Sequence, residues 1–149
     1  MKEEIQTHIV KLLNDSYLEV QIHAASAICN LALEFQQVNY STSYFSAQIL
    51  TETPTIVTRL TELTQSKHTS LRYKSLCAIK NLLFTATKDL KHTIMNKLTY
   101  SRLYVLLDDE EYFIQEQALS VFRNLLFKNP EDIQDVIYLT YYYLFIYDE

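Results

Sequence analysis

The segment Ile22-His23-Ala24-Ala25-Ser26-Ala27-Ile28-Cys29-Asn30-Leu31 returns twice in the chain. It recurs as Tyr73-Lys74-Ser75-Leu76-Cys77-Ala78-Ile79-Lys80-Asn81-Leu82 and as Glu116-Gln117-Ala118-Leu119-Ser120-Val121-Phe122-Arg123-Asn124-Leu125. Each copy has a small residue six before the Asn (Ala24, Ser75, Ala118), an apolar residue two before it, and a Leu directly after it. The second Asn follows the first by 51 residues and the third follows the second by 43. A period of about 40–47 residues belongs to solenoids built from two or three helices per unit. The longer first interval fits a loop at Gln36–Ser46, where Asn39, Ser41, Thr42 and Ser43 form no helical stripe.

Each Asn-Leu segment reads as part of a long amphipathic helix. Around Asn81 the apolar residues Leu71, Ala78, Ile79, Leu82 and Leu83 recur at three- and four-residue steps, which gives one buried stripe. Ser16 with Glu19 has capping-box spacing before the first long helix. Asp108-Asp109-Glu110-Glu111 places carboxylates where the third long helix starts, at the positive end of its dipole. Shorter helices are expected at about Glu3–Leu13, Pro54–Leu63, Lys88–Lys97 and Ser101–Leu107. Thr53-Pro54 and Asn129-Pro130 both read as an N-cap followed by Pro at the first helical position, where no amide donor is lost. A short helix packed on a longer one cannot bury its apolar face alone, so about three stacked units are the minimum for a core. The expected units are residues 1–37, 46–87 and 88–129 of a single domain, with 130–149 starting a further unit or forming an aberrant C-terminal helix.

Composition agrees with an all-α fold and removes several functions. The chain has 149 residues, 48% of them apolar, and no glycine. An average chain of this length would carry roughly ten, at about 7% usage. Without glycine there is no P-loop, no dinucleotide fingerprint and no G-x-S-x-G nucleophile elbow. A net charge of −5 disfavours a groove that tracks nucleic-acid phosphates. Two cysteines, Cys29 and Cys77, are too few for a disulfide framework and lack metal-ligand spacing, so a reduced, intracellular setting is the expectation. The charged start Met1-Lys2-Glu3-Glu4 is followed by no apolar core of signal-peptide type. Val136 to Tyr147, the most apolar run, is twelve residues with five tyrosines, whereas a membrane span needs about eighteen.

Long helices carrying "A-x-x-A-I-x-N-L" at this spacing resemble the third helix of armadillo repeats. His23–Phe35, Leu71–Phe84, Gln115–Leu119 and Arg123–Leu126 look like successive repeats of the armadillo subunit of GID/CTLH ubiquitin ligases, over about residues 3 to 137. The resemblance implies a right-handed α-solenoid of about three repeats. It also implies a non-catalytic scaffold in the cytoplasm or nucleus, whose groove holds an extended tail of a substrate receptor and bridges it to the ligase core. Ubiquitin transfer would then belong to other subunits. The expected partners are proteins, with no nucleic acid, membrane span, cofactor or small-molecule substrate.

Three departures from the family pattern stand out. Nuclear-import armadillo proteins share the Asn but carry Trp four residues earlier, where this chain has Ser26, Cys77 and Ser120. The alternative is an importin- or catenin-like cargo binder, and the missing Trp column argues against its importin form. The inter-helix Gly usual in armadillo sequences is missing, so the turns must use other residues. After Val136 the pattern gives way to a Tyr-rich run, read either as a truncated or mis-joined end or as a capping helix.

One polar stripe of mixed sign is the candidate binding groove. It runs through His23, Ser26, Asn30 and Glu34, then Lys74, Cys77, Asn81 and Thr85, then Gln117, Ser120, Asn124 and Lys128. These positions share one helix face, since seven residues make nearly two turns. Two readings stand side by side: the Asn amides hold the backbone of an extended peptide, or they tie neighbouring repeats together. Lys80, Arg123 and Lys128 are candidates to meet an acidic tail, and Tyr40–Phe45 is a candidate recognition loop. His8, His23, His68 and His92 make no zinc motif. No catalytic set, with nucleophile and base together, is read anywhere in the chain.

Overall fold

The computed structural model describes residues 2–37, 54–84, 86–127, 133–134 and 136–138. Seven numbered helices lie among the described residues, and no strand does: α1 (Lys2–Leu13), α2 (Leu18–Gln37), α3 (Pro54–Leu63), α4 (Thr69–Phe84), α5 (Lys88–Leu98), α6 (Tyr100–Leu107) and α7 (Tyr112–Leu126). The three long helices stack in chain order, α2 on α4 and α4 on α7. The shorter helices lie behind them: α1 on α2, α3 on α4, and α6 on α7. Neighbouring short helices also meet, α1 with α3 and α3 with α5.

The three- and four-residue apolar spacing puts one face of every helix into a common core. Ala25, Ile28 and Ala32 from α2 join Leu76, Ile79 and Leu82 from α4, and Ala118, Val121 and Leu125 from α7. Leu13, Ile56, Leu60, Ile94, Leu98 and Leu103 fill it from the short helices. The small residue six before each Asn is buried in all three repeats, as Ala24, Ser75 and Ala118. Aromatic contacts add to the third repeat. Phe122 packs between Tyr100 and Tyr104, and Phe113 meets the edge of Tyr73 across the α4–α7 junction.

The bends are made without glycine, and the entry to each long helix uses the same device three times. A short polar side chain accepts the backbone amide two residues on: Asp15 from Tyr17 at 2.9 Å, Ser66 from His68 at 3.2 Å, Asp109 from Glu111 at 3.1 Å. The residue six after it donates its side chain back to that residue's carbonyl, as Gln21 to Asp15, Arg72 to Ser66 and Gln115 to Asp109. Such Asx- and Ser-type turns supply the chain reversal that glycine would otherwise permit. The positions differ from the sequence expectation. Helix α2 begins at Leu18, so Ser16 precedes the cap, and Asp15 is the side chain that meets the incoming amide. Within the carboxylate run, Asp109 makes the turn, while Asp108 closes α6.

The one positive φ recorded among the described residues is at Thr99, at 59°, between α5 and α6. A β-branched residue is unfavourable there. Its neighbours hold it: the Thr99 amide donates to Met95 O at 2.9 Å, and its hydroxyl accepts from the Arg102 amide at 3.4 Å. Beyond α7, residues 136–138 are helical, with Val136 buried and its carbonyl accepting from the Tyr104 hydroxyl at 3.2 Å. The Tyr40–Phe45 stretch and most of the run after Val136 lie outside the described residues.

Candidate functional site

The polar stripe falls on the junctions between consecutive long helices. Asn81 of α4 sends its Nδ2 back to α2, donating to Cys29 O at 3.1 Å and to Cys29 Sγ at 3.1 Å. Asn124 of α7 repeats the move one unit later, donating to Lys80 O at 2.9 Å. In both cases the acceptor is the carbonyl of the residue just before the preceding Asn. Both Asn side chains are buried, at 3% exposure each. Burial of an amide is tolerated because these bonds replace those it made to water.

Gln117 lies seven residues before Asn124, on the same face. Its Oε1 accepts from Lys80 Nζ at 2.9 Å and from Cys77 Sγ at 3.4 Å. Positions 0 and −7 of one long helix thus meet positions −1 and −4 of the helix before it. Both cysteines are free thiols, Cys77 buried and Cys29 half-buried. The neighbouring Cys77 and burial push the Cys29 thiol up from the ordinary thiol range.

The other stripe residues are open to solvent to different degrees. His23 and Asn30 are exposed on α2. Ser26 and Ser120 are half-buried, and Ser26 Oγ donates within its helix to Ile22 O at 2.9 Å. Lys74 is half-buried, with its Nζ 5.5 Å from the centre of the Tyr73 ring. Lys128 and Thr85 lie outside the described residues, as does the side chain of Glu34. The stripe therefore has a buried, hydrogen-bonded floor (Cys77, Asn81, Gln117, Asn124) and an accessible border (His23, Ser26, Asn30, Lys74, Ser120).

Sequence reasoning passed over Lys91. This side chain of α5 is buried, and its ammonium donates to Asn124 O at 2.7 Å, Leu125 O at 3.0 Å and Phe127 O at 2.7 Å. It closes the negative end of α7 with a full charge. Its signal in the sequence is faint: Lys91 lies between the apolar Leu90 and Ile94 on a helix that otherwise reads as amphipathic. Among the described residues no three His, Cys, Asp or Glu side chains gather as metal ligands would, and no helix is long and apolar enough to cross a membrane.

The chain is similar to curated proteins of two names, one of them taken from the armadillo repeat. It is 28% identical over 132 residues, 87% of its length, to GID complex subunit 5 of Schizosaccharomyces pombe. It is 32% and 31% identical over 122 residues, 82% of its length, to armadillo repeat-containing protein 8 of Danio rerio and of Mus musculus. The chain spans 15–17% of the length of these curated relatives. No family model matches, and no solved structure does.

Proposed function

We propose, for a chain that is an armadillo-repeat relative of a GID complex subunit with an armadillo-like α-solenoid fold, that it acts as a binding scaffold without chemistry of its own. Its partners are other protein subunits, and its place is in a GID/CTLH-type ubiquitin ligase, between the core and a substrate receptor, serving ubiquitin-dependent protein degradation in cytoplasm or nucleus. The observation that supports this reading is the junction geometry. Asn81, Asn124 and Gln117 fasten each long helix to the one before it, so the bordering side chains stand on a preformed base. A surface already ordered loses little entropy when an extended segment docks.

In this reading His23, Ser26, Asn30, Lys74 and Ser120 contact the partner, while Cys77, Asn81, Gln117 and Asn124 form the floor. The test is affinity purification of the tagged chain from its own cells, beside the triple variant His23→Ala, Asn30→Ala, Lys74→Ala. Recovery of RING-type ligase subunits with the parent and their loss with an equally stable variant is the expected result. Recovery of those subunits in equal yield by both would move the contact to another face. A clean purification without ligase subunits would remove the ligase assignment.

A further inference from the structure

We infer that the cavity between the end of α3 and α6 is a docking pocket for an acidic side chain of a partner protein, flanked there by an aliphatic residue. The cavity measures about 440 Å³, a size at which ligand pockets form. Thr64 lies on its α3 side, Val105 and Leu106 on its α6 side, and Arg72, Arg102 and Asp109 bring charge to it. Arg72 already holds Asp109 through both carboxylate oxygens. That pair is neutral, so Arg102 leaves one positive charge unbalanced in the cavity. Among the described residues no hydrogen bond or ion pair engages the Arg102 guanidinium.

The preceding repeat displays what such an arginine takes. Arg59, Glu62 and Ser66 correspond to Arg102, Val105 and Asp109 by the 43-residue offset of the Asn column, and Leu13 corresponds to Thr64 by the 51-residue one. Arg59 donates from Nε to Leu13 O at 3.2 Å and from Nη1 to Glu62 Oε2 at 3.0 Å. One repeat later the carboxylate is gone: Val105 stands in its place, 71% exposed, beside the half-buried Arg102. A partner that brings an Asp or Glu with a Leu, Ile or Val next to it restores the carboxylate to Arg102 and covers Val105. The guanidinium fork matches a carboxylate in shape and charge, and a half-buried setting strengthens their attraction over that in open water. A phosphate group suits the pocket less well, because the Asp109 carboxylate and the apolar wall of Val105 and Leu106 oppose a second negative charge. Arg72 and Asn81 are nine residues apart on α4, about 13 Å along the helix, so the pocket is independent of whatever the border residues bind.

The test selects random phage-displayed peptides on the immobilised full chain after depleting the library on the Val105→Glu variant. That substitution gives Arg102 the carboxylate that Arg59 has, at a site exposed enough to accept it. The expected peptides share an Asp or Glu beside Leu, Ile or Val. A synthetic peptide of the enriched sequence should lose affinity about tenfold or more, as a charge-assisted hydrogen bond does when one partner goes, on Arg102→Gln in the chain and on exchange of its own acid for the amide. Arg59→Gln, at the pocket already closed by Glu62, should leave its affinity unchanged. No enrichment after depletion, enriched peptides without an acidic residue, or equal binding by Arg102→Gln would each overturn the pocket. Displacement of the peptide by inorganic phosphate would assign the site to a phosphate-bearing ligand instead. The acid-to-amide exchange in the peptide leaves the chain untouched, so it decides the matter even where Arg102→Gln folds poorly.

Discussion

The guanidinium of Arg72 grips both carboxylate oxygens of Asp109, Nε to Oδ2 and Nη2 to Oδ1, each at 2.9 Å. Its third nitrogen reaches Ser66 O at 3.0 Å, while Asp109 Oδ1 also accepts the Glu111 amide at 3.1 Å. One side chain thus joins the turn that opens α4 to the turn that opens α7. At 16% and 11% side-chain exposure, the pair is shielded from solvent.

Breaking that pair leaves a nearly buried charge alone. Arg72→Leu is expected to lower stability by about 2–4 kcal/mol, since uncompensated buried charges are costly. Arg72→Lys recovers only part of it, because an ammonium cannot make the two-pronged contact. Urea denaturation followed by circular dichroism reads both; a Lys variant equal to the parent would deny the bidentate geometry its role.

The asparagines separate by position. Asn81→Ala and Asn124→Ala each remove a buried bond between repeats and should cost about 1–2 kcal/mol. Asn30→Ala, on an exposed site, should change stability by no more than about 0.5 kcal/mol. Thermal melts of the three variants give the order, and equal effects would mean the column does not act through inter-repeat bonding.

Ser75 Oγ is fully buried and has no hydrogen-bond partner. The other two repeats carry Ala at this position, as Ala24 and Ala118. Ser75→Ala removes an unsatisfied hydroxyl at almost no cost in packing, so it should stabilise the chain by up to about 1 kcal/mol. A rise in the thermal midpoint checks this; a fall would reveal a bond made by the hydroxyl.

Lys91→Met keeps the stem and deletes the ammonium that meets three carbonyls at the end of α7. A loss of about 2 kcal/mol is expected, from charge-assisted bonds and the helix dipole together. Hydrogen exchange of the amides at 123–127 should quicken first. Unchanged protection there would contradict the capping role.

Much of this architecture was legible because a solenoid writes its period into the sequence. The Asn-Leu columns, the small residue six before them and Pro54 at the start of α3 all read directly. The turn residues Asp15, Ser66 and Asp109 carry the same 51- and 43-residue offsets, yet Ser16 and the neighbouring carboxylates suggested caps one or two positions away. A single residue of register decides which oxygen faces the amide, and local pattern does not resolve it. The Asn column left two roles open for a related reason. Neighbouring residues on a helix point about 100° apart, so whether Asn81 faces a groove or α2 depends on where α2 lies. Lys91 was hidden because its acceptors are backbone carbonyls about 35 residues away, which no side-chain motif announces.

Asn81 and Asn124 each reach one long helix back, so a row of short directional bonds runs along the stacked long helices. Directional bonds resist stretching, whereas greasy surfaces can slide. The long helices consequently hold their spacing as the stitched spine of a book holds its leaves.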